Sequence, residues 1–387
     1  MNQHNETCAG SPLPLQSLEK MLAPLSDQRA RRGVRYGLLP LVCIVLLAKL
    51  TGADTPVAIA DWAAERAAWL RARLHLQWRR MPHHSTYRRL LQQALPLAEF
   101  EQQASAFLSA RQAADEPLCN LDGKTMRGTI PGGATQGLHL LAVQQAGSNL
   151  VLAQRPVGTK QNEISSAPAL LKSVDLQGKI LSGDAMHAQR TLSRQIVKDG
   201  GDYLWFVKNN QPALCQQLAQ AWADPAQRPS DAVTAQAYDK GHGRLEFRQL
   251  TSSAQLTNTL DWPYAAQAFV LRRERTDCRT DKVTSQTVYG ITSLLPFTAD
   301  APRLLHLTRQ HWSIENGLHY RRDVTFGEDR CRMQSRPAAE CLALINNLAI
   351  GLLRWLGWDN LARARRYYAA HLSQALQLIQ GVQRVRP

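Results

Sequence analysis

The sequence predicts an α/β protein: a mixed sheet flanked by helices, preceded by a helical domain and interrupted by a β-rich insertion. Three observations carry that prediction. Apolar residues recur at helical spacing between Leu18 and Leu108. Beyond Pro117 the pattern changes to short apolar runs separated by glycine-containing turns. After residue 298 the helical period returns.

Residues 1–15 are polar and contain proline, as expected of a loose leader. A helical domain spans 16–112, where Leu38, Leu41, Val45 and Leu46, then Ala58, Ile59, Trp62 and Ala63, lie on helical repeats. Ser85, ahead of Thr-Tyr-Arg-Arg-Leu-Leu, reads as the N-cap of a basic helix. Ala113–Pro117 reads as a linker. Strands are expected at Leu118–Leu121, Leu138–Val143 and Leu150–Ala153, then a helix at Asn162–Val174. An extended stretch at Lys179–Leu181, a helix at His187–Lys198, a strand at Tyr203–Val207 and a helix at Ala213–Trp222 complete the segment 113–223. The insertion, 224–298, has candidate strands at Val233–Tyr238, Arg244–Leu250, Gln267–Arg273 and Thr284–Ile291. Residues 299–387 return to helix, at Leu304–Asp323 and Arg336–Trp355, and end in a basic tail.

The chain has 387 residues, long enough for two or three structural units. At 44% hydrophobic it can bury a sizeable core, which excludes wholesale disorder. Lys and Arg total 46 against 31 Asp and Glu, a net charge of +15 that calls for an anionic partner. A membrane is not expected to be that partner. The most apolar run, Leu38–Ala48, is broken by Pro40 and followed by Lys49, well short of the roughly 20 residues a span needs. The N-terminus carries neither a basic nor an apolar signal segment, so a cytoplasmic, nucleoid-associated protein is expected. Seven scattered cysteines without a CxxC pair exclude a disulfide framework or a zinc knuckle.

The positive charge is concentrated. Arg66, Arg71, Arg73, Arg79, Arg80, Arg88 and Arg89 follow one another with no acid between, interleaved with Trp69, Trp78 and Tyr87. Further sets are Arg29, Arg31, Arg32 and Arg35, and Arg354, Arg363, Arg365 and Arg366. Guanidinium groups match phosphate oxygens with paired hydrogen bonds, so double-stranded DNA is the expected partner, held chiefly through its backbone. Arg79, Arg80, Arg88 and Arg89 are the leading contacts.

Three acids stand out by position. Asp122 ends the first strand, Asp184 follows the fourth, and Glu315 lies in a helix. Carboxylates at strand ends face the crevice where open α/β sheets bind ligands. If strands one and four are neighbours, Asp122 and Asp184 sit side by side. Adjacent carboxylates repel unless a cation compensates, and hard oxygen donors suit Mg²⁺ or Mn²⁺. An acidic pocket on a basic protein therefore suggests metal-assisted phosphoryl transfer on nucleic acid. On a regular helix Glu315, His319 and Arg322 share one side of the apolar stripe, placing His319 and Arg322 beside the glutamate as candidate DNA contacts.

These words resemble the H-repeat-associated (ISAs-type) transposases of bacterial insertion sequences, in the DDE superfamily, from about Leu18 to Trp355. The helical region shares Asp27-Gln28-Arg29, Arg35-Tyr36, Ala60-Asp61-Trp62 and Ser85-Thr86-Tyr87-Arg88-Arg89. Farther on come Leu121-Asp122-Gly123-Lys124-Thr125-Met126-Arg127-Gly128, Lys160-Gln161-Asn162-Glu163-Ile164, and Gly183-Asp184-Ala185-Met186-His187-Ala188-Gln189. The strongest block runs from His311-Trp312-Ser313-Ile314-Glu315-Asn316 through Asp323, Phe326, Glu328 and Asp329.

The resemblance implies an RNase H-like catalytic core in which Asp122, Asp184 and Glu315 are the metal-binding triad. It implies two Mg²⁺ ions per site, replaceable by Mn²⁺, cleavage at element ends to free a 3′-OH, and strand transfer into target DNA. Terminal repeats and target DNA are the implied partners, engaged by a homodimer or higher oligomer. Lys160 and, in the insertion, His242 and Arg244 are candidate DNA contacts. Asn162 and Glu163 also fit a helix start. The Tyr-Arg-Glu-Lys signature of related transposases is not kept: aligned on Glu315, its other positions hold Thr308, His311 and Arg322. A hairpin intermediate is therefore not expected. His311 reads equally as a phosphate contact and as a packing residue. Two alternatives stay open at this point: a catalytically silent protein that binds element ends, and a nuclease without strand transfer.

Overall fold

The computed structural model describes residues 18–32, 34–109, 117–158, 161–223, 228–241 and 243–380. The expected leader and the Ala113–Glu116 part of the linker lie outside the described residues, as do Lys160 and His242. The chain divides into two compact units: Met1–Phe107 with Trp358–Pro387, and Leu108–Gly357.

The first unit is helical. Its elements are α1 (Leu18–Leu22), α2 (Leu38–Leu50), α3 (Pro56–Glu65), α4 (Ala67–Arg73), α5 (His84–Arg89), a π turn at Leu90–Ala94, and α6 (Leu97–Ser109), which runs past the unit boundary. Continuous apolar sequence makes α2 the core: every residue from Leu41 to Leu50 is buried. At 13 residues it is a buried helix, and no described helix is long and apolar enough to cross a membrane. Thr55 starts α3 by accepting the Ala58 amide, with Pro56 in the first turn. The N-cap of α5 is His83, two residues before the serine the sequence suggested. Its Nδ1 accepts the Ser85 amide, a role a sequence reading assigns to hydroxyl and carboxamide side chains first.

The second unit is built on one sheet. Its elements are β1 (Leu118–Met126), β2 (Leu138–Gln145), β3 (Val151–Pro156), α7 (Glu163–Leu171), β4 (Ile180–Gly183), α8 (Arg190–Lys198), β5 (Asp202–Val207) and α9 (Pro212–Ala223). There follow β6 (Val233–Gly241), β7 (Arg244–Ser253), β8 (Gln267–Asp277), β9 (Val283–Thr292), α10 (Ala301–Gln310) and α11 (Arg336–Trp355). The spatial order is β3-β2-β1-β4-β5-β9-β8-β7-β6. Strands β1, β4 and β5 are parallel, while β2 and β3 form an antiparallel meander on one side. This is an RNase H-like arrangement. The inserted strands do not make a separate sheet: β9 pairs antiparallel with β5 and extends the first one.

Both faces of the sheet are covered. Leu121, Leu141, Leu181 and Trp205 pack with residues of α7, α8 and α9. On the opposite face, Phe206, Phe269 and Leu271 pack with Leu304 and Leu307 of α10, and Met126, Leu138 and Leu140 with Ala339 and Ala343 of α11.

The predicted helix Leu304–Asp323 is not continuous. It stops at Gln310, turns at His311–Trp312, and resumes as two π-helical turns, Glu315–His319 and Arg321–Thr325. Asn120 of β1 supplies a physical reason. Its Nδ2 donates to the Gln310 carbonyl at 3.2 Å and to Ser313 Oγ at 2.9 Å, capturing the end of α10 from the side.

After the sheet, α12 (Leu361–Ala370) and α13 (Leu372–Gln380) return to the first unit and pack on α2. The end of the chain attached by sequence to the 299–387 segment thus belongs spatially with the N-terminal helices. Arg365 of α12 is buried there. It pairs with Asp54 at 2.8 Å and donates to the Lys49 carbonyl at 3.0 Å, so it is not part of a solvated basic patch.

Candidate active site

Side chains alternate across a strand, so Asn120, Asp122 and Lys124 of β1 face α10 and the π turns. Asn120 holds the end of α10. Lys124, nearly buried, pairs with Asp323 at 2.6 Å and lies 3.8 Å from Asp329. Burial pushes the Asp323 carboxyl above its usual range, only partly opposed by Lys124. Asp329 in turn accepts the Arg127 amide. These contacts anchor the far end of the π stretch to β1.

Asp122 lies between the two anchors. Its Oδ1 accepts the Gly123 amide at 2.9 Å, and its Oδ2 lies 3.2 Å from His319 Nε2. Glu315, exposed on the same π turn as His319, completes a cluster: one donor atom from each of Asp122, Glu315 and His319 lies within 4.8 Å of the others. Both ring nitrogens of His319 are buried and neither makes a hydrogen bond. Two carboxylates and an imidazole with unused donors form a set that fits a divalent cation.

Asp184 comes from β4. The parallel ladder pairs Leu121 with Gly183, so each aspartate is the first residue beyond the last paired rung. Asp184 is exposed, and His311 stands beside it, Nε2 to Oδ1 3.7 Å. The His311 ring holds the Asp184 carboxyl below its usual range against the opposing effect of burial, with Lys208 and His187 adding to the field. His311 is itself fixed by Ser182 Oγ at 3.0 Å and packs on Phe206.

The basic residues expected on DNA divide into three groups. Arg79, Arg80, Arg88 and Arg89 are exposed, and Arg244 is half-buried. His311 and His319 are buried within the site, facing Asp184 and Asp122. Arg322 is fully buried and cannot reach DNA. Its Nε donates to both oxygens of Glu328 at 2.9 Å, and its Nη1 donates to Gln154 at 3.0 Å. The π turns break the i, i+4, i+7 relation of a regular helix and send Arg322 inward. Asn346 and Asn347 of α11 complete that network on Glu328 and Gln154.

Beside Glu315 is a cleft of about 860 Å³ whose lining includes Arg248, Arg273, Arg275, Arg309, Trp312 and Asn316. The Arg273 guanidinium lies over the Trp312 ring, 5.6 Å from its centroid. Arg248 and Arg309 are paired with Asp239, and Arg248 also with Glu246, while Arg273, over the exposed indole, and Arg275 match phosphates and base faces.

Comparison with known proteins gives the family. Residues 114–352 match the family described as Transposase DDE domain, and residues 19–108 match the DDE_Tnp_1-associated family. The chain belongs to the DDE transposase family. The H repeat-associated YhhI of Escherichia coli K12 is 26% identical over 88% of this chain and 91% of its own length. YbfL of the same organism gives the same identity and coverage. A protein in the dhlA 3′ region of Xanthobacter autotrophicus is 35% identical over 61% of this chain and 81% of its own. A piggyBac transposase synaptic complex with hairpin DNA aligns over 92% of this chain and 73% of that one, at 9% identity and a TM-score of 0.43. The protein is an insertion-sequence transposase, a DNA-processing enzyme of a family that generally depends on divalent metal.

The sequence reading missed Asn120 and Ser182, which act only through partners more than a hundred residues away. It also missed His139, and assigned Glu163 no role beyond a helix start. Asn162 does cap α7, accepting the Ser165 amide.

Proposed function

We propose that Asp122, Asp184 and Glu315 hold the divalent cations of this transposase, two Mg²⁺ or Mn²⁺ ions, for phosphodiester cleavage at element ends and strand transfer into target DNA. The observation that carries the proposal is the convergence of Asp122, Glu315 and His319 donors within 4.8 Å, with Asp184 one residue past the end of the adjacent strand. His319, first read as a DNA contact, becomes a further donor. The bound cations would supply charge stabilisation at the reacting phosphate.

The chain's own residues do the rest. His311 keeps Asp184 ionised and oriented. Asn120 and Lys124 fix the two ends of the segment that carries Glu315. Arg79, Arg80, Arg88, Arg89 and Arg244 neutralise DNA backbone charge, as do the arginines of the cleft beside Glu315. Lys160 and His242 remain proposed contacts. Cleavage breaks the bond between phosphorus and the 3′ oxygen as water attacks in line, and the freed 3′-OH then attacks a target phosphate, releasing another 3′ oxygen. Two element ends require at least two protomers, so we propose a dimer or higher oligomer on DNA.

A labelled duplex carrying the cognate element end, incubated with Mg²⁺, tests this. Wild type is expected to cleave and join, and Asp184→Ala to bind without either reaction. Cleavage by Asp184→Ala at the wild-type rate would remove Asp184 from the site; cleavage by wild type without joining would leave a nuclease.

A further inference from the structure

The parallel ladder between β1 and β4 ends at Leu121 and Gly183, so no backbone pairing ties Asp122 to Asp184. On the other side of the sheet, a side-chain chain crosses that gap. Thr125 Oγ1 lies 2.7 Å from His139 Nδ1, and His139 Nε2 lies 2.9 Å from Glu163 Oε1. The second oxygen, Glu163 Oε2, lies 3.1 Å from His187 Nε2. Thr125 is three residues past Asp122, and His187 is three past Asp184.

The glycines beside both aspartates admit this chain to the backbone. A Cβ on Gly123 would stand 2.3 Å from Glu163 Oε1 and 2.4 Å from His139 Nε2, and one on Gly183 would stand 3.0 Å from the His187 ring. The Asp122-Gly123 pair therefore lies within β1 and marks close packing, not a turn. Burial alone would raise the Glu163 carboxyl, but hydrogen bonds from His139 and His187 bring it down to about 2. The bridging group is a carboxylate at neutral pH, with an oxygen for each imidazole.

We propose that Glu163 is a positioning residue: by bridging His139 and His187 it sets the separation of Asp122 and Asp184, and so the spacing of the cations they hold. This rests on the metal-binding reading of those aspartates. Outer groups that orient metal ligands typically change affinity by about 10- to 100-fold when removed. Glu163→Gln keeps the side-chain size but leaves only one acceptor for two imidazoles.

The test is Mn²⁺ titration of the full chain without DNA, followed by electron paramagnetic resonance, alongside duplex binding by fluorescence anisotropy. Glu163→Gln is expected to weaken Mn²⁺ binding about 10- to 100-fold while duplex affinity stays at the wild-type value. Asp122→Asn is expected to weaken Mn²⁺ binding strongly. If Asp122→Asn weakens it and Glu163→Gln does not, the positioning role is overturned and the metal site stands. If Asp122→Asn binds Mn²⁺ like wild type, the metal reading fails and the positioning role with it. Parallel loss of Mn²⁺ and duplex binding in Glu163→Gln would make Glu163 a general fold staple and overturn the proposal. Should Glu163→Gln not fold, His139→Gln is measured and judged by the same outcomes.

Discussion

Two charge clusters share the π-helical stretch between Glu315 and Thr325, and they are built in opposite ways. In one, Asp122 and Glu315 approach each other with only a histidine between, and Glu315 is exposed. In the other, Arg322 and Glu328 are both fully buried, and the side chains hydrogen-bonded to them or to those partners are amides: Gln154, Asn346 and Asn347. Burial opposes ionisation of Glu328, and Arg322 overrides it. The second cluster pairs its opposite charges and fixes a backbone, with the Asn346 and Asn347 oxygens left buried and without a hydrogen bond. The first leaves like charges together and donors unused, an arrangement that lowers its free energy when a cation arrives.

The contrast can be broken experimentally, and the largest expected effect is catalytic. Glu315→Gln should lower cleavage on the order of 10⁴-fold, the scale of losing a member of a catalytic unit, while unfolding in denaturant shifts by less than about 0.5 kcal/mol. Equal damage to both would place Glu315 in the scaffold. Arg322→Ala should do the reverse, costing about 3–5 kcal/mol because Glu328 is left charged and buried. An unfolding free energy unchanged from wild type would erase the distinction between the clusters.

Cation binding sharpens it further. At a hundredfold excess over its dissociation constant, Mn²⁺ should stabilise wild type by about 2.7 kcal/mol, a shift seen by thermal unfolding and absent in Asp122→Asn. An equal shift in that variant would move the cation elsewhere.

The smallest effect concerns the Glu163 bridge, which resembles the Arg322 cluster in giving its carboxylate a partner on each oxygen but reaches solvent through His139. Its carboxyl falls from 4.5 to about 2 on folding. A depressed value means that the stabilisation is complete above about pH 4.5 and is lost as pH falls toward 2. Glu163→Gln should therefore be less stable than wild type by about 1.5 kcal/mol at neutral pH, and the gap should close on acidification in urea unfolding. A gap that widens below pH 4 would contradict the sign.

Much of the sheet was legible in the sequence because strands announce themselves locally. Tyr203–Val207 was expected and Asp202–Val207 is found, and each of the four inserted strands overlaps the span expected for it. What stayed hidden depends on partners distant in sequence. Periodicity alone carries a helix through His311, since nothing nearby reveals that Asn120 takes the Gln310 carbonyl. Arginines default to solvent in a sequence reading, yet Arg322 and Arg365 are buried because Glu328 and Asp54 meet them. Asp184 was identifiable as the residue just past a strand, whereas Asp122, expected to end the first strand, lies inside β1 and is terminal only to its pairing with β4. The inward face behind them, His139 with Glu163 and His187, had no local signature.

The return of α12 and α13 to α2 has a consequence for biosynthesis. The helical unit is made from both sides of the sheet unit along the chain, so its core helix emerges from the ribosome more than three hundred residues before its last partners. The sheet unit can close first, while α2 waits with apolar sides uncovered. Synthesis halted anywhere between β1 and α11 would leave that helix covered by α1 and α3 but without α12 and α13, its remaining apolar side open to chaperones and proteases.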